Sequence, residues 1–122
     1  MIDCKICKIH STFEPIPGLQ FENWIVRPAE LEKNCPGYYY IEASGHSTSY
    51  IEVNEEAWKE YGKIIHSLTG LIYQNYSPLK IYTVSIAEMV PHLHFHMVPR
   101  YTPSPTGMEY LSLAIKGELP PL

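Results

Sequence analysis

A single long amphipathic helix set among short strands is the feature that most limits how this chain can fold. Asn54 is a typical N-cap, Glu55 and Glu56 follow in the first turn, and apolar residues recur at helical spacing to about residue 74. Strands are predicted on both sides of it, at residues 19–27, 38–42, 80–87 and 92–98. Parallel neighbours would need a helix at each crossover. The pattern therefore predicts an α+β fold, in which about five antiparallel strands form a sheet beside one long helix.

The length and the cysteine content indicate one domain in a reducing compartment. The chain has 122 residues, which suit a single domain. It shows neither the apolar run of a signal peptide nor about 18 consecutive apolar residues. Three cysteines, two of them in a C-x-x-C pair, suit the cytosol better than a disulfide framework. We expect one cytoplasmic domain over 1–122, with a Pro-rich tail at 103–122 that is mostly loop around a short apolar piece at 110–115.

The charge balance disfavours a nucleic-acid polymer as partner. Nine basic and thirteen acidic side chains give a formal net charge of −4. Such a surface releases few counterions from a phosphate backbone. A small site for a single nucleotide remains compatible with this charge.

Three of the six histidines stand at alternate positions of the last predicted strand: His92, His94 and His96. Side chains at i, i+2 and i+4 share one face of a strand, so the imidazoles line one surface. The residues between them are apolar and are expected in the core: Leu93, Phe95 and Met97. The alternative is a solvated face that happens to use histidine, although Thr or Lys would serve such a face equally well.

The distance between the first and the last of these histidines indicates that the three do not share one role. At about 3.3 Å per residue, the α-carbons of His92 and His96 lie roughly 13 Å apart. One metal ion with bonds of about 2.0 Å to nitrogen cannot easily collect all three side chains from an extended strand. The row therefore suits an elongated substrate better than a metal cage.

Cys4 and Cys7 form half of a possible zinc site. A closed tetrahedral site needs two further N or S ligands. The candidates are His10, Cys35, His46 and one histidine of the row. The alternative is a pair of reduced structural cysteines on a surface turn. A thioredoxin-like redox role is disfavoured, because no βαβ unit follows the pair.

The stretch 92–98 reads His-Leu-His-Phe-His-Met-Val and resembles the histidine-triad (HIT) family, whose signature His-φ-His-φ-His-φ-φ, with φ apolar, it meets at every position. Pro99-Arg100 continues it in the manner common in the family. The resemblance covers most of the chain in order: Cys pair, strand hairpin, Pro-Gly-Tyr before a strand, loop histidine, long helix and two strands. The chain is most similar to the zinc-carrying members and to the distantly related galactose-phosphate uridylyltransferases.

The resemblance implies a HIT-like fold, a homodimer and a structural zinc ion held partly by the segment 1–10. The implied zinc ligands are Cys4, Cys7, His46 and His92. His94 would be the nucleophile that attacks the α-phosphorus of a nucleotide or nucleotide conjugate, and His96 would donate to a phosphate oxygen. The implied enzyme is a hydrolase or nucleotidyltransferase for phosphoramidates or dinucleoside polyphosphates.

The connection before the triad departs from the family pattern. Many relatives carry a small polar run such as Gly-Gln-Ser there, whereas this chain has Ala87-Glu88-Met89-Val90-Pro91. Glu88 places a negative charge where Gln is common. Arg27 or Arg100 could supply positive charge at a substrate site, the alternative for both being a solvated arginine at a strand end. Phe21 could form an apolar wall for a base, the alternative being a core aromatic residue.

Two further functions compete with the enzyme. Glu88 and the missing serine favour a zinc-stabilised module that binds nucleotides without cleaving them. His94-x-His96 alone would also suit a cupin-like metal oxygenase or isomerase. That class needs a nearby carboxylate and a distant histidine, but the next acidic residue is Glu109 and no histidine follows His96.

Overall fold

The computed structural model describes residues 3–122, so the first two residues of the expected zinc-binding segment lie outside the described part. The strands are β1 (Trp24–Pro28), β2 (Tyr39–Ala43), β3 (Lys80–Val84) and β4 (His94–Arg100). The helices are α1 (Lys5–His10), α2 (Glu55–Tyr76) and α3 (Gly107–Lys116). The strands form one sheet in the order β1-β2-β4-β3, with every neighbouring pair antiparallel. The predicted α+β class with an antiparallel sheet is confirmed.

The described residues form four strands instead of about five. The first arm of the expected hairpin reduces to an isolated bridge between Gln20 and Ile25. The backbone amides of Glu22 and Asn23 donate to the Glu60 carboxylate at 3.0 and 2.8 Å. These amides are bound by a helix side chain, so they do not extend a strand ladder.

Helix α2 forms as its sequence predicts. Asn54 caps its start, where the side-chain oxygen accepts from the Ala57 amide at 2.9 Å. One stripe of the helix is buried: Ala57, Ile64, Leu68 and Ile72. The helix ends at Ser77, whose backbone is left-handed with φ of 52°. None of the helices found between residues 3 and 122 combines the length and the apolar composition that a bilayer crossing requires.

The tail differs from the prediction, because it contains the helix α3 within what was expected to be mostly loop. Tyr110, Leu111 and Ala114 are buried on this helix and pack with Tyr38 and Val98 of the sheet. Gly117 ends the helix with φ of 73°, a conformation that favours glycine. The proline and glycine residues that suggested a loop therefore flank a short helix whose stability comes from packing against the sheet.

The strands around the histidine row also have shifted bounds. His92 and Leu93 precede β4, because their amides donate to the carbonyls of Val90 and Ser47. At the other end Pro99 lies inside the strand opposite Ile81, although it was expected to close the strand. A proline is tolerated there because the pairing of β4 with β2 ends at Met97, so no residue of β2 needs an amide hydrogen from residue 99. β3 is shorter than predicted and ends at Val84.

The sheet has helices on both faces, and this arrangement positions the histidines. One face packs on the buried stripe of α2 through Trp24, Val26, Ile41, Leu93 and Met97. The other face packs on α3 through Tyr38, Tyr40 and Val98. Because side chains alternate along β4, His94 and His96 lie on the α3 side. Leu93 and Met97 are in the core as predicted, and Phe95 is partly buried against it.

We expect Leu68→Ala to lower the free energy of unfolding by about 2–5 kcal/mol, because the Leu68 side chain is fully buried where α2 packs on the sheet. The matched control is Leu31→Ala, since Leu31 is 93% exposed. Urea denaturation followed by circular dichroism measures both. Equal stability of the two variants would contradict the described packing of α2.

Candidate functional site

Four potential metal ligands from three separate parts of the chain converge at one end of the sheet: Cys4, Cys7, His46 and His92. Their ligand atoms all lie within 4.8 Å of one another. The Cys4 sulfur and the Cys7 sulfur lie 3.4 and 3.5 Å from Nδ1 of His92. The Cys7 sulfur also lies 3.5 Å from Nδ1 of His46. The structure thus assembles the ligand set that the family resemblance implies.

The spacing of these atoms fits a tetrahedral zinc ion. Bonds of about 2.3 Å to sulfur and about 2.0 Å to nitrogen place neighbouring S and N donors about 3.5 Å apart in a tetrahedron. Three of the four S···N separations are 3.4 to 3.5 Å, and the fourth, between Cys4 and His46, lies within 4.8 Å. A Cys₂His₂ set with this spacing is compatible with zinc.

His92 is oriented for ligation by a second contact. Its side chain is fully buried, and its Nε2 donates to the carbonyl oxygen of Ala43 at 2.7 Å. Nε2 therefore carries the hydrogen and Nδ1 presents its lone pair to the two cysteines. Metal-binding histidines usually hold their other ring nitrogen in this way.

The other candidate ligands lie outside this cluster. His10 stands close to the His92 ring, with 5.5 Å between centroids, but its Nε2 bonds the Glu42 carboxylate at 2.8 Å. The Cys35 sulfur lies instead within 3.8 Å of the Tyr110 hydroxyl. The structure therefore selects His46 and His92 from the alternatives that the sequence left open.

His94 and His96 are neighbours on the α3 side of the sheet, with 5.1 Å between ring centroids. Nδ1 of His94 lies 2.6 Å from the backbone carbonyl oxygen of His92. A carbonyl only accepts, so Nδ1 carries the hydrogen and Nε2 of His94 keeps a free lone pair. The residue is half-buried.

His96 is held by a tyrosine. Its Nδ1 lies 2.8 Å from the hydroxyl of Tyr38, which is itself buried. Burial, together with the charges of His94 and Lys33, lowers the pKa of His96 to about 4. His96 is therefore neutral near pH 7.

A buried carboxylate lies beside the histidines and was not identified from the sequence. Glu42 is 1% exposed and faces His94 across the β2–β4 pair. Arg27 donates to both of its oxygens, at 3.0 and 2.8 Å, and His10 bonds one of them. The one signal available was an acidic residue within an otherwise apolar strand, with an arginine in the preceding strand.

The hydrogen bonds decide the charge of Glu42. Burial by itself raises the pKa of this carboxyl group, but the hydrogen bonds from His10 and Arg27 outweigh it and hold the pKa at about 2. The carboxylate is therefore ionised near pH 7 and forms a buried ion pair with Arg27.

The residues predicted to bind substrate are spread over the molecule. Glu88 is exposed in the loop between β3 and β4. The Arg27 guanidinium is bound to Glu42 and lies 4.7 Å above the Tyr40 ring. Arg100 is six residues along β4 from His94, about 20 Å away, and donates to the Tyr82 hydroxyl. Phe21 packs against the core on the α2 side, away from the histidine face.

Comparisons with known proteins find likeness at the level of structure. No family profile and no curated protein matches the sequence. A HIT family member from Bacillus subtilis superposes with a TM-score of 0.68 at 18% identity, over 98% of this chain and 99% of that one. A hypothetical histidine triad nucleotide-binding protein from Sulfolobus tokodaii gives 0.65 at 18% identity, over 94% and 89%. The chain has the histidine-triad fold.

A zinc-bound structure with the same fold bears on the Cys–His cluster. The Zn-bound histidine triad family protein from Mycobacterium smegmatis superposes with a TM-score of 0.63 at 16% identity, over 95% of this chain and 93% of that one. The Cys–His cluster of this chain is compatible with a zinc ion at the end of its sheet.

We expect the purified chain to carry about one zinc ion and the Cys7→Ser variant to carry almost none, because the cluster would lose one of its four ligands. Metal analysis by plasma mass spectrometry measures this, and the variant should also show a lower Tm. Cys35→Ser is the control, since Cys35 lies outside the cluster, and it should keep its zinc. Equal zinc in both variants would refute the assignment.

Glu42→Gln is expected to lower the free energy of unfolding by about 3 kcal/mol near pH 7, because a shift of the pKa from 4.5 to about 2 is worth about 1.4 kcal/mol per unit. A carboxylate with a lowered pKa loses its stabilising effect as it is protonated. The difference from the wild type should therefore shrink as the pH falls from 4.5 towards 2.

Glu56→Gln is the control for this experiment, because Glu56 is an exposed partner of Lys59 and should change stability by less than about 0.5 kcal/mol. Denaturation at a series of pH values measures both variants. If the loss of unfolding free energy in Glu42→Gln did not depend on pH, this result would contradict the ion pair between Glu42 and Arg27.

Proposed function

We propose that this chain is a nucleotide hydrolase or nucleotidyltransferase that acts at the α-phosphate through a nucleotidyl intermediate on His94. The observation that carries the proposal is the 2.6 Å hydrogen bond from Nδ1 of His94 to the His92 carbonyl. This bond fixes the tautomer in which Nε2 has a free lone pair. The nucleophile is therefore ready without a separate base to remove a proton.

In the proposed reaction Nε2 of His94 attacks the α-phosphorus, and the bond from phosphorus to the leaving group breaks. The imidazole becomes positively charged in this step, and its Nδ1–H points at the partial negative charge of the His92 carbonyl. Water or another acceptor then attacks the same phosphorus and releases the nucleotide. Two displacements of moderate difficulty replace one difficult displacement at an anionic centre.

His96 is proposed to donate to a non-bridging phosphate oxygen. Its ring lies beside that of His94, at 5.1 Å between centroids. Its lowered pKa keeps it neutral near pH 7, so it acts as a hydrogen-bond donor without a full charge. A fixed donor aimed at oxygens that gain charge in the transition state lowers the barrier.

We propose a structural role for zinc, held by Cys4, Cys7, His46 and His92. When bound, zinc would link α1 to the sheet without acting on phosphorus. The Ala43 carbonyl also holds the His92 ring, and the His92 carbonyl in turn orients His94. The metal site would thus support the nucleophile through His92, because this residue is a proposed metal ligand and its backbone carbonyl accepts the hydrogen bond from His94.

The proposed substrates are nucleoside phosphoramidates or dinucleoside polyphosphates. Of the residues predicted to bind them, we retain Glu88 as a candidate contact, because it is exposed in the loop that leads to the triad. We assign no substrate contact to Arg27, since Glu42 occupies its guanidinium, or to Arg100 and Phe21, since both lie away from His94.

A nucleotide-binding module without catalysis is the second candidate. It is favoured by one observation: the exposed loop before the triad carries Glu88 and contains neither lysine nor arginine over residues 85–91. Such a loop contributes no cation to a transferring phosphate. The activity assay below separates the two functions.

We also propose a cytoplasmic homodimer, in which the sheet continues through one of its two edge strands, β1 or β3. In the described chain β3 pairs with β4 along one edge only. Backbone groups at an unpaired edge can pair with a second copy. Sedimentation equilibrium would measure the mass in solution.

Turnover of an adenosine phosphoramidate and of a dinucleoside tetraphosphate is the direct test. The wild type should release AMP, and His94→Ala should be slower by about a thousandfold or more, because the attacking atom is absent. His66→Ala is the matched control, since His66 is exposed on α2, and it should keep full activity. Nucleotide binding without any AMP release would select the binding module instead.

A further inference from the structure

A buried tyrosine is the single hydrogen-bonding partner of the His96 ring within the described chain. The Tyr38 hydroxyl lies 2.8 Å from Nδ1 of His96. Tyr38 is 2% exposed, and among residues 3–122 no other group lies within hydrogen-bond distance of its hydroxyl, although the nearby Tyr40 hydroxyl is close enough to lower its pKa against the larger effect of burial. The identity of the donor in this pair therefore decides which nitrogen of His96 carries the hydrogen.

Two tautomers of the pair can be compared. If Nδ1 of His96 donated to the tyrosine oxygen, the hydroxyl hydrogen of Tyr38 would have no acceptor within hydrogen-bond distance in the described part of the chain, since the Tyr40 oxygen lies beyond it, and leaving a buried donor without a partner is costly. If the hydroxyl donates to Nδ1, every polar hydrogen of the pair is placed. A phenol is also the stronger acid and imidazole nitrogen the stronger acceptor, which favours the second arrangement.

We propose that Tyr38 is a positioning residue that fixes His96 as the Nε2–H tautomer and so aims a neutral N–H donor at the phosphate beside His94. The two triad histidines then hold opposite tautomers: His94 presents a lone pair at Nε2 and His96 presents a hydrogen there. The first tautomer is set by a backbone carbonyl and the second by the Tyr38 hydroxyl.

The surroundings of His96 keep the pair neutral. The ring is packed against Tyr40, at 5.5 Å between centroids, and against His94. Burial lowers the pKa of His96 and raises that of Tyr38, and Lys33 adds to the effect on the histidine. Glu42 and Glu30 oppose this shift without reversing it. The role in catalysis rests on the proposed reaction, whereas the tautomer does not.

The test is ¹⁵N NMR of the histidine rings in the ligand-free protein, with Tyr38→Phe and its matched control Tyr40→Phe. Tyr40 is the neighbouring buried tyrosine, and its hydroxyl donates to Glu30 instead. In the wild type and in Tyr40→Phe, Nδ1 of His96 should show the shift of an unprotonated nitrogen and Nε2 that of a protonated one. Tyr38→Phe should give averaged shifts from a mixture of tautomers.

A wild-type spectrum with a protonated Nδ1 on His96 would overturn the proposal even if Tyr38→Phe failed to fold, as would a Tyr38→Phe spectrum identical to that of the wild type. In the activity assay kcat of Tyr38→Phe should fall about tenfold with KM changed less than about twofold, the effect of one neutral hydrogen bond made in the transition state. A kcat equal to that of the wild type would overturn the positioning role. The predicted tautomer in a protein that turns over neither substrate would refute the proposed enzyme alone.

Discussion

The arrangement at the end of the sheet depends on how His92 is held. Its Nε2 donates to the Ala43 carbonyl, its Nδ1 faces the sulfur atoms of Cys4 and Cys7, and its own carbonyl accepts from His94. One residue therefore connects β2, α1 and the proposed nucleophile. Because the side chain is fully buried, these contacts leave it little freedom. A metal ion at the cluster would thus order the nucleophile without taking part in the chemistry.

The face that carries His94 and His96 is polar although it lies between a sheet and a helix. Most buried polar groups in proteins are paired. Glu42 binds Arg27 and His10, His96 binds Tyr38, and Tyr40 binds Glu30. This pairing explains why Arg27 is bound within the protein, and it leaves the two imidazoles as the half-buried reactive groups of that face. It also engages Arg27, one of the residues predicted to bind substrate, in the ion pair with Glu42.

Much of this could be predicted from the sequence, and the rest could not for physical reasons. Period-two alternation placed His94 and His96 on one face, and capping and apolar spacing located α2. The family resemblance named the four residues that the structure brings together, Cys4, Cys7, His46 and His92, whereas spacing alone left His10 and Cys35 open as ligands. α3 was missed because its stability comes from contacts of Tyr110 and Leu111 with the sheet. The helix propensity of a sequence does not include such tertiary contacts. Glu42 was missed because its partners, Arg27 and His10, lie far from it in sequence.

The most direct test of the central claim is detection of the covalent intermediate on one particular atom. Protein mixed with an adenosine phosphoramidate would be quenched in alkali, digested and analysed by mass spectrometry. The account predicts a nucleotidyl group on His94 within the peptide that contains residues 92–100, attached through Nε2. An adduct on His96 or on any residue outside this peptide, or product release with no adduct at any quench time, would contradict it.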